Sequence, residues 1–310
     1  MKTAVIDLGS NTFNLKIIET DSGEILYNQK IAVKLLKGNA EIIGDEARAR
    51  ALNAVGEHLK TAREFGVEKG YAFATSALRS TQNGRALAQD IFDLLGVNVH
   101  IIGGLQEALF IYEGVKQAVD FSDGLIVDIG GGSTELVWVK NKQYIWGESF
   151  PLGVGRLLEN LEFPDPATPQ HFEALHELLE ESWGQKLQEL QAKHPIHSLV
   201  GSSGSYDTIY DMLAARHDRP LMTADQKNGT IDVEEMLALS TDMQYLTTAE
   251  RLKVPGLIPM RAEMIHLSLY ITEYLVKKLE ISDILLSAYA LKEGVLSEIQ
   301  NPKNPWQPSF

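Results

Sequence analysis

Apolar positions along this chain follow two rhythms, period two or unbroken runs for strands and period near 3.6 for amphipathic helices. Strands are expected over residues 5–7, 13–19, 25–33, 71–74 and 97–102. Helical spacing fills 46–65, 84–95 and 106–119. The second half begins again with strand patterns at 125–128, 135–139 and 144–150, then turns mostly helical. Phe172, Leu175, Leu179, Leu187 and Leu190 recur near 3.6, which predicts one long helix over 170–192. Short strands at 198–201 and 283–287 have a helix over 261–279 between them. Three prolines make 163–169 an inserted loop, and the proline-rich tail 301–310 is expected to be irregular.

The strand–turn–strand at each start is the same pattern twice. AVIDLGSNTFNL near the N-terminus aligns with LIVDIGGGSTEL when Asp7 is laid on Asp128, an offset of 121 residues (128 − 7). A repeat this long points to two similarly folded halves, because solenoid periods run about 20–50 residues. Strands followed by alternating helices and strands, twice over, predict an α/β protein. The two lobes are expected at 1–122 and 123–310, with the last helix packing back on the first lobe. The apolar face of 265–279 suits core packing and a homodimer equally well.

Bulk properties narrow the class. At 310 residues the chain is too long for one ordinary core. A hydrophobic share of 44% and a charged share of 23% are those of a soluble globular protein. The net charge of −14 argues against a broad nucleic-acid or anionic-membrane surface. It leaves room for a phosphorylated substrate whose charge a divalent cation offsets. With no cysteine, disulfides, thiolate zinc sites and thiol nucleophiles are all excluded, in keeping with the cytoplasm. Neither a signal-peptide core nor a run of about 18 apolar residues is seen.

Against that background one turn asks for a chemical reason. Asp128 interrupts an apolar run, and Gly130, Gly131 and Gly132 follow before the next strand starts. Each glycine costs roughly 0.5–1 kcal/mol relative to alanine in regular structure, so bare backbone is wanted there. The triplet is not the dinucleotide fingerprint, because a strand rather than a helix follows, and no P-loop motif occurs. A tight hairpin with a solvated aspartate is one reading. The other is a phosphate cradle of exposed amides with the Ser133 and Thr134 hydroxyls beside it. Asp128 would then hold a hydrated Mg²⁺ (or Mn²⁺), which binds through one or two carboxylates plus phosphate oxygens. Gly201 and Gly204 in GSSGS lie between a strand and a helix, which suits a second phosphate-contacting turn. GSSGS lacks the last glycine of a nucleophile elbow. The eight histidines show no metal-binding spacing and read as structural or solvated.

DLGSN at Asp7–Asn11 with DIGGGSTE at 128–135 resembles the two phosphate loops of the acetate/sugar kinase, heat-shock chaperone and actin superfamily. Within it the chain is similar to the exopolyphosphatases and guanosine pentaphosphate phosphatases of the Ppx/GppA family. ATSALR (74–79), GLQEALFIYEGV (104–115), GSSGSYDTI (201–209), PGLIPMRAEMI (255–265) and ALKEGVL (290–296) continue the likeness in order. The resemblance implies two ribonuclease-H-like, actin-like lobes with mixed sheets flanked by helices and a catalytic cleft between them. It implies hydrolysis of the terminal phosphate of inorganic polyphosphate or guanosine pentaphosphate, with a non-hydrolysing sensor and a kinase as alternatives. Glu107 matches the catalytic base; taken alone it is an acid favoured by a helix dipole. Arg79 matches an arginine of the phosphate site, and Gly9, Ser10 and Asn11 match the first phosphate loop. Asp7, Asp128 and Glu135 match acids associated with the metal.

The departures bear on substrate preference. Gln106 and Leu109 flank Glu107 where the family carries an acid and an arginine. Lys34-Leu35-Leu36-Lys37-Gly38 stands for R-L-G-E-G, Lys292 replaces arginine in L-R-E-G, and Glu263 replaces the aspartate of R-A-D. A lysine offers a point charge where arginine offers a planar fork. Long family members carry a C-terminal helical half absent from this sequence, which predicts a shorter grip on polyphosphate and lower processivity.

Overall fold

The computed structural model describes residues 1–223, 225–301 and 303–310. Its first sheet has five strands in the order β3-β2-β1-β4-β5. They are β1 (Lys2–Leu8), β2 (Thr12–Glu19), β3 (Ile25–Ala32), β4 (Lys69–Ala74) and β5 (Val99–Ile101). β1, β2 and β3 form an antiparallel meander, while β4 and β5 continue parallel to β1. Helices α1 (Asp45–Glu64), α2 (Ser76–Ser80), α3 (Gly84–Leu95) and α4 (Gly104–Val115) complete this half.

The second sheet repeats the plan: β6 (Gly124–Ile129), β7 (Thr134–Lys140) and β8 (Gln143–Phe150) are the meander, and β9 (Ser198–Ser202) and β11 (Asp283–Ser287) run parallel to β6. An added edge strand, β10 (Asn228–Ile231), pairs antiparallel with β11. Its sequence Asn-Gly-Thr-Ile carries a single large apolar residue, which is why alternation does not reveal it. Around this sheet lie α5 (Val154–Asn160), α6 (Pro169–Leu179), α7 (Gln185–Lys193), α8 (Ser203–Arg216), α9 (Val233–Met243), α10 (Thr248–Arg251) and α11 (Ile265–Leu279). The last helix is α12 (Leu291–Ile299). The expected two-lobed α/β architecture of mixed sheets flanked by helices is present.

Three apolar clusters hold it together. One joins the outer face of the first sheet to α1 and α3, and another joins the second sheet to α5–α9 and α11. The face of α11 that also suited a dimer is buried in that second cluster. The third cluster lies between the sheets. Val5, Tyr71 and Phe73 from one sheet and Ile126, Val137 and Val200 from the other enclose α4 and α12. These two helices meet backbone to backbone, because a Cβ on Gly294 would overlap the Phe110 carbonyl and one on Gly114 the Ala290 carbonyl. Helix α4, which carries Glu107, is thereby seated against both halves.

Two predicted helices differ in detail. The stretch expected as one helix over 170–192 contains a π-helical turn, Glu180–Gly184, between α6 and α7. Leu175, Leu179, Trp183 and Leu187 are all buried at intervals of four. In a straight α-helix each such step drifts about 40° around the axis, and the wider turn absorbs that drift. Helix α11 begins at Ile265 rather than 261, after a 3₁₀ turn at Pro259–Arg261 that starts on a proline. The tail has no regular structure but is bound: Gly70 N donates to the Phe310 carbonyl (3.1 Å) and Ala72 N to Ser309 Oγ (2.9 Å). Trp306 meets the Phe73 ring edge-on at 5.1 Å. Among the described residues no helix is long and apolar enough to cross a membrane.

Candidate active site

The two hairpin tips face each other. Gly9 N donates to the Thr12 carbonyl (3.2 Å) in the first, and Gly130 N to the Ser133 carbonyl (2.9 Å) in the second. A Cβ on Gly131 would run into the Asn11 side chain, and one on Gly132 into the Ser10 hydroxyl. Glycine is required there because the other lobe's tip fills the space. The strand register then fixes the acids. Asp7 lies opposite Asn14 across β1–β2, and Asp128 opposite Glu135 across β6–β7.

Between the tips is a cavity of about 160 Å³ whose wall includes Asp7, Glu107, Asp128 and Glu135. Glu107 comes from the first turn of α4, and its side chain is only 7% exposed. Burial pushes its pKa up to about 7, Arg79 opposes the shift, and Asp128 and Asp7 add to it. Glu135 is raised well above the ordinary carboxylate range by burial, then by Glu107 and Asp128. Asp128 is raised by burial against the Ser203 and Ser202 hydroxyls, the latter donating at 3.0 Å. Asp7 is raised by burial against Lys292 and the Asn14 amide, which donates at 3.0 Å. Desolvation disfavours the charged form of each acid, and the like charges compound it.

Arg79, from α2, donates to Glu107 Oε2 (2.8 Å), the Ile102 carbonyl (3.0 Å) and Ser149 Oγ (3.1 Å). The cations on the wall itself are Lys30, Arg261 and Lys292. Lys30 lies 3.8 Å from Asp207, and Lys292 has no carboxylate within salt-bridge distance among the described residues. Beside it, Lys16 and Glu293 form a buried pair at 2.5 Å; burial pushes Glu293 up, but Lys16 and Lys292 outweigh it and hold it low. Arg261 Nε and Asp207 Oδ1 are buried without partners.

Of the residues singled out in the sequence, Gly9, Ser10, Asn11, Gly130, Gly131, Gly132, Ser133, Gly204 and the four acids share this wall. Thr134 and Gly201 sit behind it. The Thr134 hydroxyl is spent on the Leu152 carbonyl (2.9 Å), and Gly201 packs under the Tyr206 ring. Arg79 also stands back from the wall, against Glu107. Among the described residues no three acid or histidine side chains converge to hold a metal by themselves. The expected set of Asp7, Asp128 and Glu135 is therefore not a preassembled cage.

Sequence reasoning passed over Asn14, Lys30, Ser149, Asp207 and Arg261, and noted Lys292 only as a departure. Asn14 carried a signal, since it follows Asp7 by the seven residues that separate Glu135 from Asp128. Lys30 and Ser149 are the third-strand partners of Asn14 and Glu135, whereas Asp207, Arg261 and Lys292 reach the site from elements distant in sequence.

The model of the Ppx/GppA phosphatase family matches residues 17–302. A putative exopolyphosphatase of Haemophilus influenzae is 26% identical over 305 residues, covering 96% of this chain and 91% of the relative. A guanosine-5'-triphosphate,3'-diphosphate pyrophosphatase of Photobacterium profundum is 26% identical over 303 residues, 96% of this chain and 59% of that one. The crystal structure of an exopolyphosphatase from Cytophaga hutchinsonii superposes with a TM-score of 0.91 at 31% identity, covering 97% of this chain and 98% of that one.

Proposed function

The chain belongs to the Ppx/GppA phosphatase family, and from that premise we propose that it is an exopolyphosphatase, releasing the terminal phosphate of inorganic polyphosphate. The observation that carries the reading is a buried glutamate, tuned to about 7, on the wall of a cleft lined by two phosphate-loop hairpins. A general base works best with a pKa near the operating pH. In this mechanism Glu107 takes a proton from water and aims it at the terminal phosphorus. Arg79 holds the Glu107 carboxylate in place. Ser10, Asn11, Ser133 and the amides of Gly9, Gly130, Gly131 and Gly132 orient the phosphates, as phosphoryl transfer is chiefly positioning and charge neutralisation. Thr134 and Gly201 support these loops from behind, and Gly204 opens a third contact at the start of α8. Residues 1–122 work as the lobe that supplies base and arginine, and 123–310 as the lobe that supplies the glycine loop.

A divalent cation fits the donor set. Asp7, Asp128, Glu107 and Glu135 are hard oxygen donors, each raised by burial and, for Asp7, Glu107 and Glu135, further by neighbouring acids, and a cation would offset both. With no three-ligand cage, one or two carboxylates would hold it and substrate oxygens would complete its shell, the habit of Mg²⁺, with Mn²⁺ as the alternative. Asp128 is the leading ligand, with Asp7 and Glu135 beside it. The bound ion supplies charge neutralisation.

Guanosine pentaphosphate is the second substrate to test. The buried, unpartnered Asp207 Oδ1 is an acceptor that a nucleotide's N–H or O–H satisfies and a fully ionised polyphosphate does not. The experiment is phosphate release with Mg²⁺ from each substrate by the wild-type chain and Glu107→Gln. The variant is expected to lose roughly 10²–10⁴-fold in turnover while still binding substrate. Near-normal turnover removes Glu107 as base. Binding without phosphate release by the wild-type chain makes it a sensor.

A further inference from the structure

The Arg79–Glu107 pair and Glu135 come from different halves of the chain, and one hydroxyl joins them. Ser149 is the penultimate residue of β8, directly opposite Glu135 in the β7–β8 register. Its hydroxyl donates to Glu135 Oε1 at 2.6 Å and accepts from Arg79 Nη2 at 3.1 Å. A serine hydroxyl has one proton, so giving it to Glu135 leaves lone pairs for the guanidinium. The bonds therefore run outward from Arg79, directly to Glu107 on one side and through Ser149 to Glu135 on the other.

Geometry shows what the hydroxyl controls. Both other Arg79 contacts, to Glu107 and to the Ile102 carbonyl, use Nη1. The bond at Nη2 is a third anchor on the rigid, planar fork, at the end that the Nη1 contacts do not hold. The hydroxyl also stands between opposite charges. Without it, the Nη2 donors and the Glu135 carboxylate face each other unpartnered, and a direct ion pair would draw the guanidinium off Glu107. Ser149 further packs on the turn that carries the base. A Cβ on Gly104, three residues before Glu107, would come 2.7 Å from the Ser149 Cβ.

We propose that Ser149 is a positioning residue for the hydrolytic step, holding Arg79 flat against Glu107 and keeping Glu135 apart from it. The inference rests on the reading that Glu107 is the base. The test is a double-mutant cycle of Ser149→Ala and Arg79→Ala, with Ser149→Cys as a control of similar volume and poor hydrogen bonding. Turnover and KM are measured on polyphosphate, and thermal melting on every variant. Ser149→Ala is expected to lower kcat about tenfold or more, the loss of a bond to a charged group, with KM within about threefold. Ser149→Cys should fall with it, and Ser149→Ala should cost less than about twofold once Arg79 is gone.

Full turnover in Ser149→Ala would overturn the proposal. So would restoration by Ser149→Cys, which makes the role one of packing, or an equal loss with and without Arg79. The bond exists without substrate, so the same cycle should couple in thermal melting, and additive shifts there would overturn it too. A wild-type chain that releases no phosphate, yet couples in melting, would reject the hydrolase reading and leave the contact standing.

Discussion

The two hairpins are built on one plan and do opposite things with their acids. In the first, Asp7 meets an amide, and Asn14 donates to it at 3.0 Å. In the second, the same place across the ladder holds Glu135, whose charge Asp128 opposes. The turns diverge as well. Ser10 and Asn11 of the first project into room that Gly131 and Gly132 of the second leave open. On matching geometry, two local differences make one half a plug whose acid meets an amide and the other a socket whose acids face each other. The crowding has no structural use, since each buried carboxylate is held against desolvation. It fits the divalent cation proposed above.

The contrast can be broken most strongly by pH, which acts on all the acids together. A carboxyl whose folded pKa is raised binds protons better folded than unfolded. Its stabilising contribution is complete below the unfolded value and is lost as pH rises through the folded one. Glu107 alone, moving from 4.5 to about 7, corresponds to on the order of 3 kcal/mol. Metal-free protein should therefore melt at progressively lower temperature from pH 5 to pH 8, and Mg²⁺ should restore stability at pH 8. A melting temperature that does not fall over that range would show the socket to be relaxed already.

Steric tests come next. Gly132→Ala forces a Cβ onto Ser10 and should cost about 1–3 kcal/mol and at least about tenfold in phosphate release. Gly9→Ala, which meets only the Thr12 carbonyl at 2.9 Å, should cost less on both counts. Equal losses would mean that the tips do not interlock. Asn14→Asp remakes the plug as a socket. Asp7 loses its donor and gains a like charge, and thermal melting should report destabilisation of about 1–3 kcal/mol. The smallest effect is the reverse exchange. Glu135→Gln should raise stability by up to about 1 kcal/mol while lowering turnover, a trade expected where charge is retained for function.

How legible all this was depends on how local each signal is. The hairpins, α1, α3 and α4 write their apolar period directly into consecutive residues, and the two-lobed fold and the family followed from DLGSN, DIGGGSTE and their order. The π turn in 180–184 was hidden because a window centred on 3.6 tolerates intervals of four. Strand β10 was hidden because its pairing with β11 arises from tertiary assembly. At the site, Asp7, Asp128 and Glu107 announced themselves within motifs. Ser149 and Asp207 did not, since each is an ordinary polar residue until a distant element comes to lie against it. The placement of Arg79 shows the same limit: its segment was visible, but its partnership with Glu107 and Ser149 was not.

One more consequence concerns the order in which the molecule is made. Ser309 and Phe310 lie beside the lower end of β4, where Asn98 N also donates to the Ser309 carbonyl at 3.0 Å, and α12 covers α4. A ribosome that has released β1 through α4 has thus delivered a sheet with an open seam and an uncovered helix. Its closure awaits a segment translated almost two hundred residues later. The sheet that leaves the ribosome before the other is completed only after it.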